Sequence, residues 1–125
     1  MNKRFVIQIG MGADQHGHGN NPTTAAVRAV QDAISTNCLP GLVEIVDLKT
    51  PDDMTVDLLI AAPYPERIDE EEVLAAIPFG TKRLSVVKGG MVTDGLAIPA
   101  LGDTDGAILV SNAPVTVTIP VPSES

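Results

Sequence analysis

The amino-acid sequence predicts an α+β fold of the ferredoxin-like, split βαβ type, in which two helices cover one face of a mainly antiparallel sheet. Three observations predict it: apolar runs that alternate with period two, two segments with helical spacing and N-terminal caps, and their order along the chain, βαββαβ. Extra strands follow at the C-terminus. The 125 residues are expected to form one domain, 1–125, ending in a loose tail over 122–125.

The first strand is predicted to end at a glycine-rich loop and to be followed by a helix. In "RFVIQIG", Phe5, Ile7 and Ile9 recur at every second position, which is typical of a strand buried mainly on one face. In "NNPTTAAVRAVQDAIS", Asn21 is suited to cap the helix and Pro22 to occupy its first position. Small and branched apolar residues then recur at helical spacing.

Three further strands and a second helix complete the predicted βαββαβ order. Strands are expected over 42–48 and 54–62, which can pair as a hairpin, and over 82–90. The helix lies in "IDEEEVLAAI", where Asp69 and Glu72 form a capping-box pattern. Its three glutamates fall in the first turn, where the helix dipole favours negative charge.

The C-terminal part adds the extra strands "GLAIPAL", "GAILVSN" and "VTVTIPV", on the same sheet or at a subunit contact. In this fold class one face of the sheet has no helices. Strands as apolar as "LLIAA" and "LSVV" cannot leave that face in water, so the sequence predicts a homo-oligomer formed through it.

Composition and charge exclude several classes of function. Sixteen acidic and eight basic residues give a formal charge of -8, which repels a phosphate backbone, so no nucleic-acid partner is expected. No apolar stretch approaches the length of a membrane span, which predicts no membrane partner and a cytoplasmic location. The lone cysteine excludes an internal disulfide and a cysteine-rich zinc site.

The segment "GMGADQHGHG", residues 10–19, contains four glycines and both histidines of the chain, and it carries the candidate site. Asp14, His16 and His18 lie two residues apart, so they would project to the same side of an extended segment. An aspartate oxygen with two imidazole nitrogens suits zinc or a similar divalent cation. This is the predicted metal site.

Three other interpretations of the segment stay open. His16 could act as an acid–base group without metal, with Asp14 fixing its tautomer. Backbone N–H groups of the loop and the following helix could capture an anion, although the glycine spacing departs from the nucleotide-binding patterns. The loop could also be purely structural.

Several residues around this segment are candidates for contacting a ligand. Gly10, Gly12 and Gly17 would let the backbone approach it closely. Thr24 stands at the start of the helix, where its hydroxyl could touch a bound molecule. Lys88 precedes paired glycines at a strand end, where a lysine can meet an anionic group.

The pattern of Gly10, Gly12, Asp14, His16 and Gly17, G-x-G-x-D-x-H-G, resembles the signature of a small family of conserved hypothetical proteins from bacteria and plants. Segments such as "TTAAVRAVQDAI", "IPFGT", "VVKGGM" and "SNAPVTV" are similar to its blocks as well. The family has no assigned reaction, so the resemblance implies no particular function. His18 lies outside the signature.

A weaker resemblance, over about a quarter of the chain, is to methylerythritol cyclodiphosphate synthase. There a G-x-G-x-D-x-H pattern also follows the first strand, and its aspartate and histidine bind a divalent metal. This resemblance implies that Asp14 and His16 are metal ligands at the contact of a homotrimer. Its third metal histidine has no counterpart here unless His18 replaces it.

Together these patterns predict a small-molecule enzyme of hydrolase or lyase type, with an Asp–His site at a subunit interface. The alternative is a non-catalytic ligand-binding or accessory subunit with a structural glycine loop.

Overall fold

A computed structural model describes residues 2–15, 20–35, 53–78, 80–95 and 106–120. In chain order, the secondary structure of these ranges is β1 (Asn2–Asp14), α1 (Thr23–Ser35), β2 (Thr55–Ala62), α2 (Glu70–Ala75), β3 (Thr81–Lys88), β4 (Met91–Asp94) and β5 (Ala107–Pro120). A short 3-10 turn, Pro65–Arg67, precedes α2. The predicted strand over 42–48, the run "GLAIPAL" beyond residue 95 and the tail over 122–125 lie outside the described residues.

The described strands form one mixed sheet in the order β1-β5-β2-β3, and β4 pairs with the N-terminal part of β5. β1, β2 and β4 all run antiparallel to β5, whereas β2 and β3 are parallel neighbours joined through α2. The predicted class is therefore confirmed: an α+β protein whose mainly antiparallel sheet carries two helices. Because β1 and β2 share the antiparallel partner β5, strands β1, β2 and β3 all point the same way.

The two C-terminal runs predicted as separate strands are one continuous strand, β5, in the middle of the sheet. Pro114 lies between these two runs, and proline has no backbone N–H to donate to a strand ladder. The structure accommodates Pro114 by a gap in the pairing of β5 with β2: after the pair Leu58↔Val115, the next pair is Ala61↔Asn112. Pairing with β1 continues through Ile9↔Pro114.

Helix α1 begins as the sequence predicts and packs mainly on strands β1 and β5. The side chain of Asn21 accepts a hydrogen bond of 3.0 Å from the backbone N–H of Thr23, and Ala26 N–H donates to the carbonyl of Pro22 at 2.9 Å. The buried side of the helix is made mainly of small residues: Thr23, Ala25, Ala26, Ala29, Val30 and Ala33. Small residues let a helix approach a sheet closely.

Helix α2 is short and fixed at both ends. The carboxylate of Asp69 accepts the backbone N–H of Glu72 at 3.2 Å, which confirms the predicted cap. At the other end, Lys82 Nζ donates to the carbonyl of Leu74 at 3.2 Å. Val73 is fully buried and Ile68, which precedes the cap, packs against the same core, an arrangement known as a hydrophobic staple.

The hydrophobic core lies between the two helices and one face of the sheet, and it includes Val56, Leu58, Ile60, Ala113 and Val115. The strand residues that alternate with these point to the other side, which no described helix covers. We call this side the open face. Within the described ranges, no helix is long and apolar enough to cross a membrane.

Candidate functional site

The candidate site lies where β1, β2 and β3 end, at one edge of the sheet that we call the carboxyl edge. Strands β1 and β2 are both antiparallel to β5, and β3 is parallel to β2, so their C-terminal ends meet there. The connections to α1 and α2 leave the sheet from the same edge. In sheets with parallel strands, this is the edge where ligands usually bind.

Gly10 and Gly12 belong to β1, not to a loop, since the strand continues to Asp14. Both point at α1. A Cβ on Gly10 would lie 2.6 Å from the backbone nitrogen of Ala33 and would overlap the carbonyl oxygen of Ala29. A Cβ on Gly12 would overlap the backbone of Ala25 and Ala29. These glycines are therefore required for the close packing of α1 on β1; their contact with a ligand stays a prediction.

Asp14 ends β1 and is completely buried. Successive inward residues of β1 meet successive turns of α1, Gly10 beside Ala33 and Gly12 beside Ala25. Asp14 comes next in this series, which places its side chain toward the first turn of the helix. The positive end of a helix dipole favours a negatively charged group there.

The two histidines follow Asp14 within four residues, but His16, Gly17 and His18 lie outside the described residues. The length of extended chain limits the distance from Asp14 to about 7 Å for His16, two residues away, and to about 14 Å for His18, four residues away. Among the described residues, no group of three histidine, cysteine or acidic side chains could hold a metal ion. The predicted metal set therefore depends on this segment.

The other two predicted ligand contacts lie at different places on the carboxyl edge. Thr24 is half-buried in the first turn of α1, on the helix that also faces Asp14. Lys88 is exposed at the end of β3. Three strand spacings separate β3 from β1, about 14 Å, so the structure does not bring Lys88 into the immediate surroundings of Asp14.

Two side chains of α1 that the sequence did not single out bind the outer edge of β1, which faces away from β5, beside the site. Arg28 Nη1 donates to the carbonyl of Ala13 at 2.7 Å, and the carboxylate of Asp32 accepts the backbone N–H of Met11 at 2.9 Å. Both residues were expected simply to face outward. Their spacing of four residues puts them on one side of the helix, but only the tertiary structure shows that this side borders the strand edge.

A second unforeseen feature connects the start of α1 with the turn before α2. The hydroxyl of Thr23 accepts the backbone N–H of Asp69 at 3.0 Å and donates to the carbonyl of Arg67 at 3.4 Å. Arg67 also donates to the carbonyl of Asn20 at 3.4 Å, and its guanidinium lies 5.4 Å from the ring centre of Tyr64. These contacts fix the chain where it leaves the histidine segment.

Buried hydroxyl groups complete this edge. Ser111 of β5 is fully buried and donates to the carbonyl of Ala61 at 3.0 Å, close to the end of β2. All buried polar side-chain atoms in the described ranges have a hydrogen-bond partner. The edge is therefore a preorganised polar region under the first turns of two helices.

The fold and this edge define a class of small α+β protein, with a buried aspartate between a glycine-rich strand and a histidine-containing connection. The chain belongs to the family described as "Conserved hypothetical protein (Lin0512_fam)", whose model matches residues 4–117. The predicted family membership is thus confirmed. The G-x-G-x-D-x-H-G signature and the resemblance to the cyclodiphosphate synthase stay predictions.

One solved structure similar to this chain comes from Nostoc punctiforme and is described as a FtsZ-like protein of unknown function. The two chains share 50% sequence identity, with a TM-score of 0.84, over 94% of this chain and 96% of the other. No curated protein matches the sequence.

Proposed function

We propose that this protein is a small-molecule enzyme of hydrolase or lyase type whose site is built from Asp14 and His16 at the carboxyl edge. The observation that carries the proposal is the completely buried carboxylate of Asp14, at the end of β1 and directly before the segment that holds both histidines. An ionisable group is rarely buried in this way unless it is paired, binds a metal or takes part in chemistry.

A divalent, zinc-like cation fits this donor set better than an anionic cofactor does. A carboxylate and neutral imidazoles are common ligands of catalytic zinc, and three protein ligands leave a position open for water or substrate. His18 is the candidate for the third ligand. When bound, such a metal supplies Lewis-acid activation of a water molecule or a carbonyl group.

The described residues would serve as support for these ligands. The cap of α1 by Asn21 and the hydrogen bonds of Thr23 hold the helix end of the connection in place. Arg28, bonded to the carbonyl next to Asp14, contributes positive charge at the rim of the site. A small polar metabolite is the substrate class we propose, since the side chains assigned to this site, Asp14, His16 and Arg28, are polar or charged.

Metal analysis of untagged protein tests the proposal. After chelator treatment and reconstitution with zinc, we expect one zinc per chain in the wild type and its loss in Asp14→Asn and His16→Ala. Asp57→Asn, which alters a carboxylate on the open face, is the matched control and should keep the metal. Circular dichroism establishes that each variant is folded.

Two results would count against this site. A wild-type protein that binds no zinc would remove the metal from the proposal. A folded Asp14→Asn variant that binds zinc as tightly as the control would remove Asp14. Retention of zinc by His18→Ala would restrict the ligands to Asp14 and His16 and leave the third position to water.

A further inference from the structure

The open face concentrates the exposed apolar side chains of the described residues. The described residues include seven exposed large apolar side chains. The strand registers place six of them on the open face: Ile7, Ile9, Met11, Leu59, Val87 and Met91. Ile9 and Met11 are 64% and 63% exposed. A contiguous apolar surface of this kind marks an interaction site.

Charge is scarce on this face, although the chain is strongly acidic. The described strand residues that put charge on it are Arg4, Asp57 and Arg83. Asp57 and Arg83 pair with each other at 2.6 Å, and the hydrogen bond and charge of Asp57 raise the pKa of Arg83 above its ordinary value. Only one of the sixteen acidic residues of the chain is therefore known to lie on this face.

We propose that the open face is covered by the open face of a second copy of this chain, in a two-fold symmetric dimer. Two like copies of an acidic protein repel each other, and the face that is nearly free of acidic residues is where they can meet at the lowest electrostatic cost. In a two-fold symmetric contact each copy presents the Asp57–Arg83 pair, whose charges cancel, so Arg4 is the one described strand residue that adds net charge to the face.

The size of the face fits such a dimer. Four neighbouring strands about 4.8 Å apart, with about ten residues of β1 at 3.3 Å each, give a flat area of roughly 20 Å by 30 Å, or about 600 Å². A standard interface buries about 800 Å² of accessible surface per partner. Because side chains protrude from the sheet, the accessible area of the face is larger than its flat area. Two sheets pack in this way in β-sandwiches.

The outer edge of β1, which faces away from β5, is unsuited to the alternative contact, in which two copies would join their sheets edge to edge. The backbone N–H of Met11 and the carbonyl of Ala13 are already bonded to Asp32 and Arg28 of α1. These bonds would have to break before another strand could pair there. Of these two surfaces in the described part of the chain, the open face is therefore the one better suited to a partner.

Sedimentation equilibrium over a range of concentrations tests the proposal. We expect the wild type to have a mass of about 26 kDa, twice the 13.0 kDa of the chain. Ile9→Lys should raise the dissociation constant at least about a hundredfold, because it would bury an unpaired charge. Val92→Lys is the matched control: Val92 is 46% exposed but lies on the opposite side of the sheet, so this variant should remain dimeric.

Leu59→Lys is the second variant if Ile9→Lys fails to fold. A wild type that stays at 13.0 kDa at every concentration would overturn the dimer, as would a mass of three copies. A folded Ile9→Lys or Leu59→Lys variant that dimerises as tightly as the wild type would overturn the interface. These variants leave Asp14 and the histidines intact, so the result is independent of the proposed zinc site.

Discussion

The two sides of β1 differ sharply in what they carry and what they face. Gly10 and Gly12 point into the core, where α1 approaches so closely that no side chain fits between helix and strand. Ile7, Ile9 and Met11 alternate with them and are more than half exposed on the open face. The inner side of this strand thus depends on the absence of side chains, whereas the outer side offers large apolar groups to a partner.

This contrast teaches that hydrophobicity alone does not identify the covered side of a strand. Period-two alternation correctly predicts that Ile7 and Ile9 share one side, but that side is the one without helices. The reason is physical: glycine contributes no apolar side chain to the pattern, although its missing Cβ is what permits the tightest packing. Four predictions test the contrast, from the largest effect to the smallest.

The largest effect is expected from a side chain on the inner side of β1. Gly12→Ala places a methyl group onto the backbone of Ala25 and Ala29, so α1 must move away from the strand. We expect a loss of at least about 3 kcal/mol in the free energy of unfolding. Urea denaturation measures it. Ile9→Ala, on the outer side, is the control and should lower the free energy of unfolding of the monomer much less. Equal losses for the two variants would contradict the contrast.

The next effect concerns the buried hydroxyl that joins the two helices. Thr23→Val keeps the shape of the side chain but leaves the backbone N–H of Asp69 without its acceptor. A loss of about 1–3 kcal/mol is expected, which denaturant titration can resolve. Thr23→Ser restores the hydroxyl and should recover most of the stability. If valine and serine have the same effect, the hydrogen bond is not the cause.

A smaller effect is expected at the outer edge of β1. Asp32→Ala removes the acceptor for the Met11 N–H, at a cost of about 1 kcal/mol. It also uncovers part of a strand edge, so we expect concentration-dependent aggregation, measured by light scattering. Gln31→Ala changes a neighbouring exposed residue of α1 and is the control. Equal aggregation of both variants would argue against protection of the edge by Asp32.

The smallest effect is expected from the ion pair on the open face. Arg83 is solvent-exposed, so its attraction to Asp57 is screened by water and salt. Arg83→Ala should leave the midpoint of thermal unfolding unchanged within error when the protein is dilute enough to be monomeric. A clear drop under those conditions would show that the pair contributes to the fold of the single chain.

Much of the fold can be predicted from short patterns that act locally. The caps at Asn21 and Asp69 and the apolar spacing of both helices fix elements through contacts within a few residues. The continuity of β5 could not be predicted, because Pro114 is tolerated only by an interruption of its ladder to β2. The parallel pairing of β2 with β3 likewise depends on contacts between distant segments.

The candidate site was predictable in part. The clustering of Asp14 with both histidines pointed to the C-terminal end of β1, and the structure adds that Asp14 is completely buried there. The roles of Arg28 and Thr23 were not predictable, since an arginine and a threonine in a helix look the same whether they face water or another segment. Their importance arises only when β1 and the turn before α2 pack against α1.

The most direct test of the central claim, a zinc-dependent site at the carboxyl edge, is to map zinc binding by amide chemical shifts. Zinc added to the isotope-labelled, metal-free protein should shift the amides of Ala13, Arg28 and Ser111, which surround the end of β1. The amides of Leu59 and Ser85, on the open face, should stay unchanged. Shifts confined to the open face, or no shifts at stoichiometric zinc, would contradict the account.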